Sequence, residues 1–303
     1  MSKRFKGNMW GGEGSGKTRL GMGMPKPIVL DSEKGTEWYA DEFPDAVVEH
    51  ITTFDDTYER VREIIQRPGD RLSIVIDSVT MLHKDLILKW TDLFETRNQK
   101  SEGFKIDYYE LQPKDYRLIN ADWDRLIREL SRVDMNVLLL SRETDAYAKG
   151  SFMKAIGVKP DCYKGIPYFV DVNLRLTRDP SGKFLAKVDG GDNLESGSRL
   201  KDRTNCFPVG KSFPFDSKIL TQMFGADNMT RTAIGIKLAT PEQCVELQTL
   251  FDAMFITPDK VKRDLAKYEA SEIKDLTEDQ AATIIEKLNE SLQKRKAQEN
   301  ATL

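Results

Sequence analysis

Residues Gly11-Gly12-Glu13-Gly14-Ser15-Gly16-Lys17-Thr18 keep the spacing GxxxxGK[ST]. Phosphate binding would explain every fixed position. Backbone N–H groups must wrap around anionic oxygens, and glycine permits both the dihedrals and the close approach. Lys17 would reach the β- and γ-phosphates, Thr18 would hold Mg²⁺, and a helix starting here would point its positive end at the anion. The plain alternative is a Gly-rich turn. Hydrolysis of a bound triphosphate asks for two further groups. One is an acid at the end of a buried strand near the phosphates, a place Asp77 takes after the apolar run Leu72–Ile76. The other is a residue that orients or deprotonates water. Glu33, two residues beyond the strand Pro27–Asp31, is the candidate. Asp31 competes for that role, and a solvated turn acid before Gly35 is the alternative reading.

Such groups need a scaffold that brings strand ends together. Apolar runs at Pro27–Asp31, Leu72–Asp77 and Asn136–Ser141 predict buried strands. Between them, Tyr58, Val61, Ile64 and Ile65, and then Trp123, Leu126, Ile127 and Leu130, recur at helical spacing. Alternation of this kind predicts an α/β fold with a mainly parallel sheet flanked by helices. Phe5–Trp10, ahead of the Gly-rich segment, reads as a poor strand because Gly7 and Asn8 interrupt it. Past Gly165, alternating Val172, Leu174 and Leu176, the turn Asp179–Gly182, and Phe184, Ala186 and Val188 predict a β-hairpin extension. Helix starts at Thr240-Pro241, Thr257-Pro258 and Thr277-Glu278 predict a small helical appendage. The expected division is a core over residues 1–239 and a helical C-terminal unit with a charged tail over 240–303.

Composition narrows the partners. Forty-six basic residues stand against 49 acidic ones, a net charge of −3, which excludes a wholly polybasic binder and leaves only local patches for nucleic acid. No apolar run approaches the ~18 residues needed to span a bilayer, and no secretion signal is seen, so a soluble cytoplasmic protein is expected. Three widely spaced cysteines suggest neither a disulfide framework nor a zinc site. His50 and His83 lack a matching acid or Cys cluster, and Trp10, Trp38, Trp90 and Trp123 read as packing residues.

Taken as an ordered set, these motifs resemble the RecA-type recombinase ATPases. The likeness is strongest to the phage-encoded RecA-like annealing proteins of the Sak four type and to the phage AAA ATPases. That family carries an Asp-x-Glu whose Glu is the catalytic base, matched by Asp31-Ser32-Glu33. Its Walker B strand ends Asp-Ser-Val, matched by Asp77-Ser78-Val79. The resemblance implies ATP and Mg²⁺ as ligands, with Lys17 and Glu33 catalytic and Thr18 and Asp77 on the metal. In RecA a strand ending Asn-Gln senses the γ-phosphate and leads into a DNA-binding loop. Here the strand ends Leu140-Ser141-Arg142-Glu143, so Ser141 or Arg142 would replace the Gln.

The segment Arg142–Pro167 stands in that loop's place. It holds Arg142, Lys149, Lys154, Lys159 and Lys164, interleaved with Tyr147, Phe152 and Tyr163. Cations that neutralise phosphates and rings that stack on bases imply contact with single-stranded DNA. Lys201 and Arg203 resemble the paired cations that RecA-like subunits insert into a neighbour's site, and Arg203-Thr204 to Gly210 resembles the R-T-x-x-F-P-x-G ending of the phage group. A homo-oligomer, ring or filament, with active sites shared between subunits is therefore expected. RecA's N-terminal oligomerisation segment has no counterpart ahead of Gly11, so assembly would use other contacts. A single-strand binding protein is a further candidate partner, and Lys84–Arg117 is either a second DNA-facing loop or a structural insertion. The implied activity is ATP hydrolysis, stimulated by DNA, in recombination or repair by annealing or strand pairing. The alternatives are a nucleotide-switched interaction protein and a helicase-loader or motor-type ATPase.

Overall fold

The computed structural model describes residues 3–98, 111, 115–147, 154–188, 201–208 and 210–301. Two compact units divide the chain, Met1–Ile234 and Gly235–Leu303.

Among the described residues the first unit is built on a nine-stranded sheet. Its strands are β1 (Lys6–Gly11), β2 (Pro27–Asp31), β3 (Val47–His50), β4 (Ser73–Asp77), β5 (Asn136–Tyr147), β6 (Ala155–Asp161), β7 (Val172–Arg178), β8 (Phe184–Val188) and β9 (Ser212–Pro214). They run in the order β3-β2-β4-β5-β1-β7-β8-β9, with β6 pairing β5. From β3 to β7 every pairing is parallel, whereas β7–β8, β8–β9 and β5–β6 are antiparallel. Helices α1 (Lys17–Met22), α2 (Phe54–Gln66), α3 (Val79–Asn98) and α4 (Tyr116–Arg132) connect the parallel strands, and α5 (Ile166–Phe169), α6 (Ser217–Phe224) and α7 (Ala226–Thr230) follow. Local chemistry sets the helix starts. Thr53 caps α2 by accepting from the Asp56 N–H at 3.1 Å, and Asp216 caps α6 through the Ile219 N–H at 2.7 Å.

β1 is a central strand of this sheet despite its glycine and asparagine. The buried Asn8 side chain donates to Asn173 Oδ1 at 2.8 Å and accepts from Ser141 Oγ at 3.0 Å. Both partners lie on the flanking strands, so the polar atoms that spoil the apolar pattern are satisfied laterally. Strand β5 sits between β1 and β4. The register aligns the carboxyl ends, with Gly11 opposite Arg142, Asp31 opposite Asp77 and Asp77 opposite Leu140. That edge of a parallel sheet is where ligands bind in α/β folds. Below it the core packs Leu20 and Met22 of α1 against Val75, Leu138, Leu140 and Leu174.

Three expectations are corrected. Arg142–Pro167 does not take the place of a loop throughout: among the described residues β5 runs on to Tyr147, β6 pairs back from Tyr147↔Ala155 to Arg142↔Asp161, and Pro167 lies in α5. Tyr163 does not offer a stacking face to bases: it is buried, stacked on Trp123 at 5.7 Å, and its hydroxyl donates to Asp124 at 2.9 Å. Trp38 is no packing residue, being 91% exposed on the 3-10 turn Glu37–Tyr39. Trp10 and Trp123 are buried, and Trp90 Nε1 donates to Asp122 at 2.9 Å.

The second unit holds α8 (Pro241–Ala253), α9 (Pro258–Ala266) and α10 (Glu278–Ala301). Thr240 and Gln243 form a reciprocal capping box, and Thr277 and Gln280 exchange the same pair of bonds at 2.9 and 3.2 Å. Gly235–Ala239 belong to this unit because Ala239 N–H donates to Leu276 O and Leu238 bridges Thr277. Its core gathers Leu247, Phe251, Leu265, Leu276 and Ala281. Among the described residues no helix is long and apolar enough to cross a membrane.

Candidate active site

The Gly-rich segment leaves β1 at Gly11 and enters α1 at Lys17. Gly14 and Gly16 hold left-handed dihedrals, φ 70° and 89°. A Cβ on Gly16 would also stand 2.7 Å from the Phe184 ring, so this position excludes a side chain on two counts. The loop curls around a cavity of about 530 Å³ that Lys17, Thr18, Glu33, Asp77, Arg142 and Glu143 also line. Lys17 folds back over the loop, its ammonium donating to Gly11 O at 2.9 Å and Gly12 O at 2.8 Å. Burial draws that ammonium below the ordinary lysine range, against the pull of Asp77, Glu33 and Glu143.

Thr18 and Asp77 meet although 59 residues separate them. Thr18 Oγ1 donates to Asp77 Oδ2 at 2.7 Å. Burial pushes the Asp77 carboxyl up to about 6, and repulsion from Glu33 and Asp31 adds to this while Thr18 and Lys17 oppose it. A buried carboxyl beside a hydroxyl, at the floor of a cavity with other acids near, is a donor set that suits a hard divalent cation. Among the described residues no cluster of three or more His, Cys, Asp or Glu side chains could cage a metal alone. Phosphate oxygens and water would therefore complete the coordination of Mg²⁺.

Asp31 and Glu33 have separate positions. The Asp31 carboxylate is buried and accepts from Glu33 N and Lys34 N, each at 2.8 Å, from Thr36 N at 3.2 Å and from Thr36 Oγ1 at 2.6 Å. With its lone pairs engaged in the turn, it organises the loop rather than facing the cavity. His50 stands 3.8 Å from both Asp31 and Glu37, so acids do accompany that histidine. Glu33 points into the cavity, bound at both oxygens by Arg142 (3.1 and 2.9 Å) and accepting from Ser78 Oγ. Burial alone would raise the Glu33 carboxyl, but the bonds from Arg142 and Ser78 prevail and hold it below the usual carboxylate range. Replacing Asp31 by Ala strands three backbone N–H groups. Chemical denaturation should register a loss of about 1–3 kcal/mol in stability, and an unchanged midpoint would refute the organising role.

Of the two sensor candidates, only Arg142 faces the cavity. Ser141 is buried and donates to Asn8. Glu143, which no motif singled out, lines the cavity as well and accepts from Arg175, whose guanidinium lies 5.5 Å above the Trp10 ring. A Cβ on Gly12 would come within 2.9 Å of Glu143 Oε1. The signal available for Glu143 was its place just past an apolar strand, the rule that singled out Asp77.

Other candidates lie elsewhere. Lys201 and Arg203 are not brought into the cavity of their own chain. Asp202 bridges Val172 at the start of β7, the Lys201 ammonium donates to the carbonyls of Pro167 and Tyr168, and Arg203 lies 3.7 Å from Asp171. Lys154 and Lys159 are exposed on the β5–β6 arm and Lys164 just beyond it, while Lys149 and Phe152 fall outside the described residues.

No curated protein matches the chain. The AAA domain family profile matches residues 3–200, a span that covers the Gly-rich loop, both acidic strand ends, the β5–β6 arm and the hairpin. With a phosphate-binding loop folded as described and more than half of its length matched, the chain belongs to the AAA domain family of P-loop, nucleotide-binding ATPases.

Proposed function

We propose that this protein hydrolyses ATP with Mg²⁺ and acts on single-stranded DNA in recombination or repair, promoting annealing or strand pairing as a homo-oligomer. One observation carries the hydrolytic part: Lys17, the Thr18–Asp77 pair and Glu33 converge on one cavity walled by the glycine loop. On this reading Lys17 leaves the loop carbonyls for the β- and γ-phosphates. Arg142 exchanges Glu33 for the γ-phosphate, and the released carboxylate accepts a proton from water as the water oxygen bonds to the γ-phosphorus and the bond to the β-phosphate oxygen breaks. Thr18 and Asp77 would hold Mg²⁺, which would supply charge neutralisation at the phosphates. The nucleic-acid part is supported by the exposed Lys154 and Lys159 on an arm rooted at Arg142, which touches the candidate base.

The experiment is an ATPase assay with and without single-stranded DNA, repeated across protein concentration and salt. Stimulation by DNA that fades as salt rises is expected, since cations neutralising phosphates release counterions. Hydrolysis indifferent to DNA, with no salt-sensitive binding, would remove the nucleic-acid assignment. A second reading is favoured by one contact. Glu33 is held by Arg142 and Ser78, as in a nucleotide-switched interaction protein with slow turnover.

A further inference from the structure

Trp38 leaves 91% of its surface in water, yet the turn that carries it is firmly held. Tyr39 N–H donates to Thr36 O at 2.9 Å, Glu42 N–H donates to Tyr39 O at 3.0 Å, and Thr36 is itself bound to the buried Asp31. Tyr39 and Phe43 pack on the core beneath, so the indole is presented outward from a fixed base. A large ring left in water on a rigid support is the kind of residue that anchors an interface. Its surroundings are acidic. Glu37, Asp41, Glu42 and Asp45 flank it, and the stretch from Gly35 to Glu59 has no Lys or Arg. Arg19 pairs with Glu42, and His50 lies 3.8 Å from Glu37. An excess of carboxylates repels nucleic-acid phosphates and suits a cationic protein surface.

The same chain carries such a surface at the other edge of its sheet. Tyr168 on α5 is 71% exposed, and the Lys201 ammonium donates to its carbonyl at 2.8 Å. Arg203 N–H donates to Asp171 O, and its side chain is 60% exposed, with Asp171 the acid beside it at 3.7 Å. These residues gather at the amino end of β7, whereas the Trp38 turn follows the carboxyl end of β2. Both strands belong to the parallel part of the sheet, so the two patches face opposite ways and cannot meet within one chain. We propose that the Trp38 turn docks on the Tyr168–Lys201–Arg203 patch of a second copy, with the indole against Tyr168 and the cations and with Glu37 and Asp41 facing Lys201 and Arg203. Each copy contributes a different patch, so the contact is head-to-tail and repeats into a ring or a filament. Tyr39 of the same turn lines the phosphate cavity, so docking sets the second copy's cations near its rim. The proposal rests on the homo-oligomer reading above and names the surfaces that build it.

Sedimentation velocity on the full-length protein, run across concentration with and without MgATP, tests this surface. Trp38→Ala should raise the concentration needed for half-assembly about thirty-fold, the loss expected of an interface tryptophan. Thermal unfolding should not change, because the side chain is exposed. Charge reversal supplies the control for folding. Glu37→Arg/Asp41→Arg and, separately, Arg203→Glu should each assemble poorly alone, since like charges then face each other, and should assemble together when mixed. Assembly that survives Trp38→Ala, or reversed variants that stay apart when mixed, would overturn this surface while leaving a wild-type homo-oligomer standing. Single-stranded DNA binding lost in Trp38→Ala at unchanged assembly would overturn it as well and give the indole to nucleic acid. Wild-type protein that stays monomeric under every condition would overturn the homo-oligomer reading together with it.

Discussion

Replacing Glu33 by Gln should lower the rate of ATP hydrolysis about 10²–10⁴-fold, the usual contribution of a positioned general base. That range corresponds to roughly 3–5 kcal/mol of transition-state stabilisation. Nucleotide binding should persist, since Glu33 faces the phosphates as a negative charge and its removal takes away a repulsion. The amide keeps the shape of the carboxylate and retains an oxygen for the Ser78 hydroxyl, but loses the charge that pairs with Arg142 and the basicity that draws a proton from water. Stopped-flow binding and single-turnover hydrolysis measured together separate the two readings of the site. Hydrolysis near the wild-type rate in Glu33→Gln would mean that turnover is incidental and that the nucleotide acts as a switch.

The parts of the site that phosphate chemistry fixes in sequence order were legible before any coordinates. Gly11–Thr18 are constrained by close backbone approach, and Asp31 and Asp77 by their place at the ends of apolar runs. In the fold these two acids face each other across adjacent strands. What escaped the sequence depends on partners far along the chain. β1 reads as a weak strand because Asn8 breaks its apolar run, and only the neighbours Asn173 and Ser141 make that polar side chain acceptable in the middle of a sheet. Tyr163 and Trp38 exchange their expected places for a related reason. Ring type says nothing about which face finds a partner, and Tyr163 finds Trp123 40 positions earlier in the chain while Trp38 sits on an outward turn. Glu143 gave no motif. Its position in the cavity follows from the change of β5 from parallel pairing with β1 to antiparallel pairing with β6, which happens at Arg142.

That same change of partner ties two parts of the proposal together. Arg142 is paired to Gly11 on one side and to Asp161 of the arm on the other, and its guanidinium binds Glu33. Any ligand that draws on this guanidinium, a γ-phosphate from within or a nucleic-acid phosphate on the arm, competes with Glu33 for the same group. On the proposed reading the position of the candidate base would be coupled to both ligands through one side chain, without a long chain of contacts.

The second large effect concerns Arg203 and Lys201. Leu176 O lies beside Gly11, while the Asp202 bridge is made four residues earlier on β7, at Val172, so these cations lie roughly 13 Å down the sheet from their own phosphate loop at ~3.3 Å per residue. On the proposed reading they would serve a γ-phosphate in a neighbouring subunit. An arginine supplied in this way is worth about 10³–10⁵ in rate, so Arg203→Ala should reduce hydrolysis by a factor in that range. Mixing Arg203→Ala with Glu33→Gln should then restore activity that neither variant has alone. At equal proportions about a quarter of head-to-tail interfaces combine an intact Glu33 with an intact Arg203, and the recovered rate should approach that share. Lys201 adds a pH signature. Burial and the nearby Arg203 pull its ammonium down to about 8, so the charged form is lost as pH rises through that value. The hydrolysis that depends on assembly should decline across the same interval, and Lys201→Arg, which keeps its charge, should remove the decline. A mixture no more active than its components would place the missing cation within the subunit, where only Arg142 and Arg19 among the described arginines line the phosphate cavity.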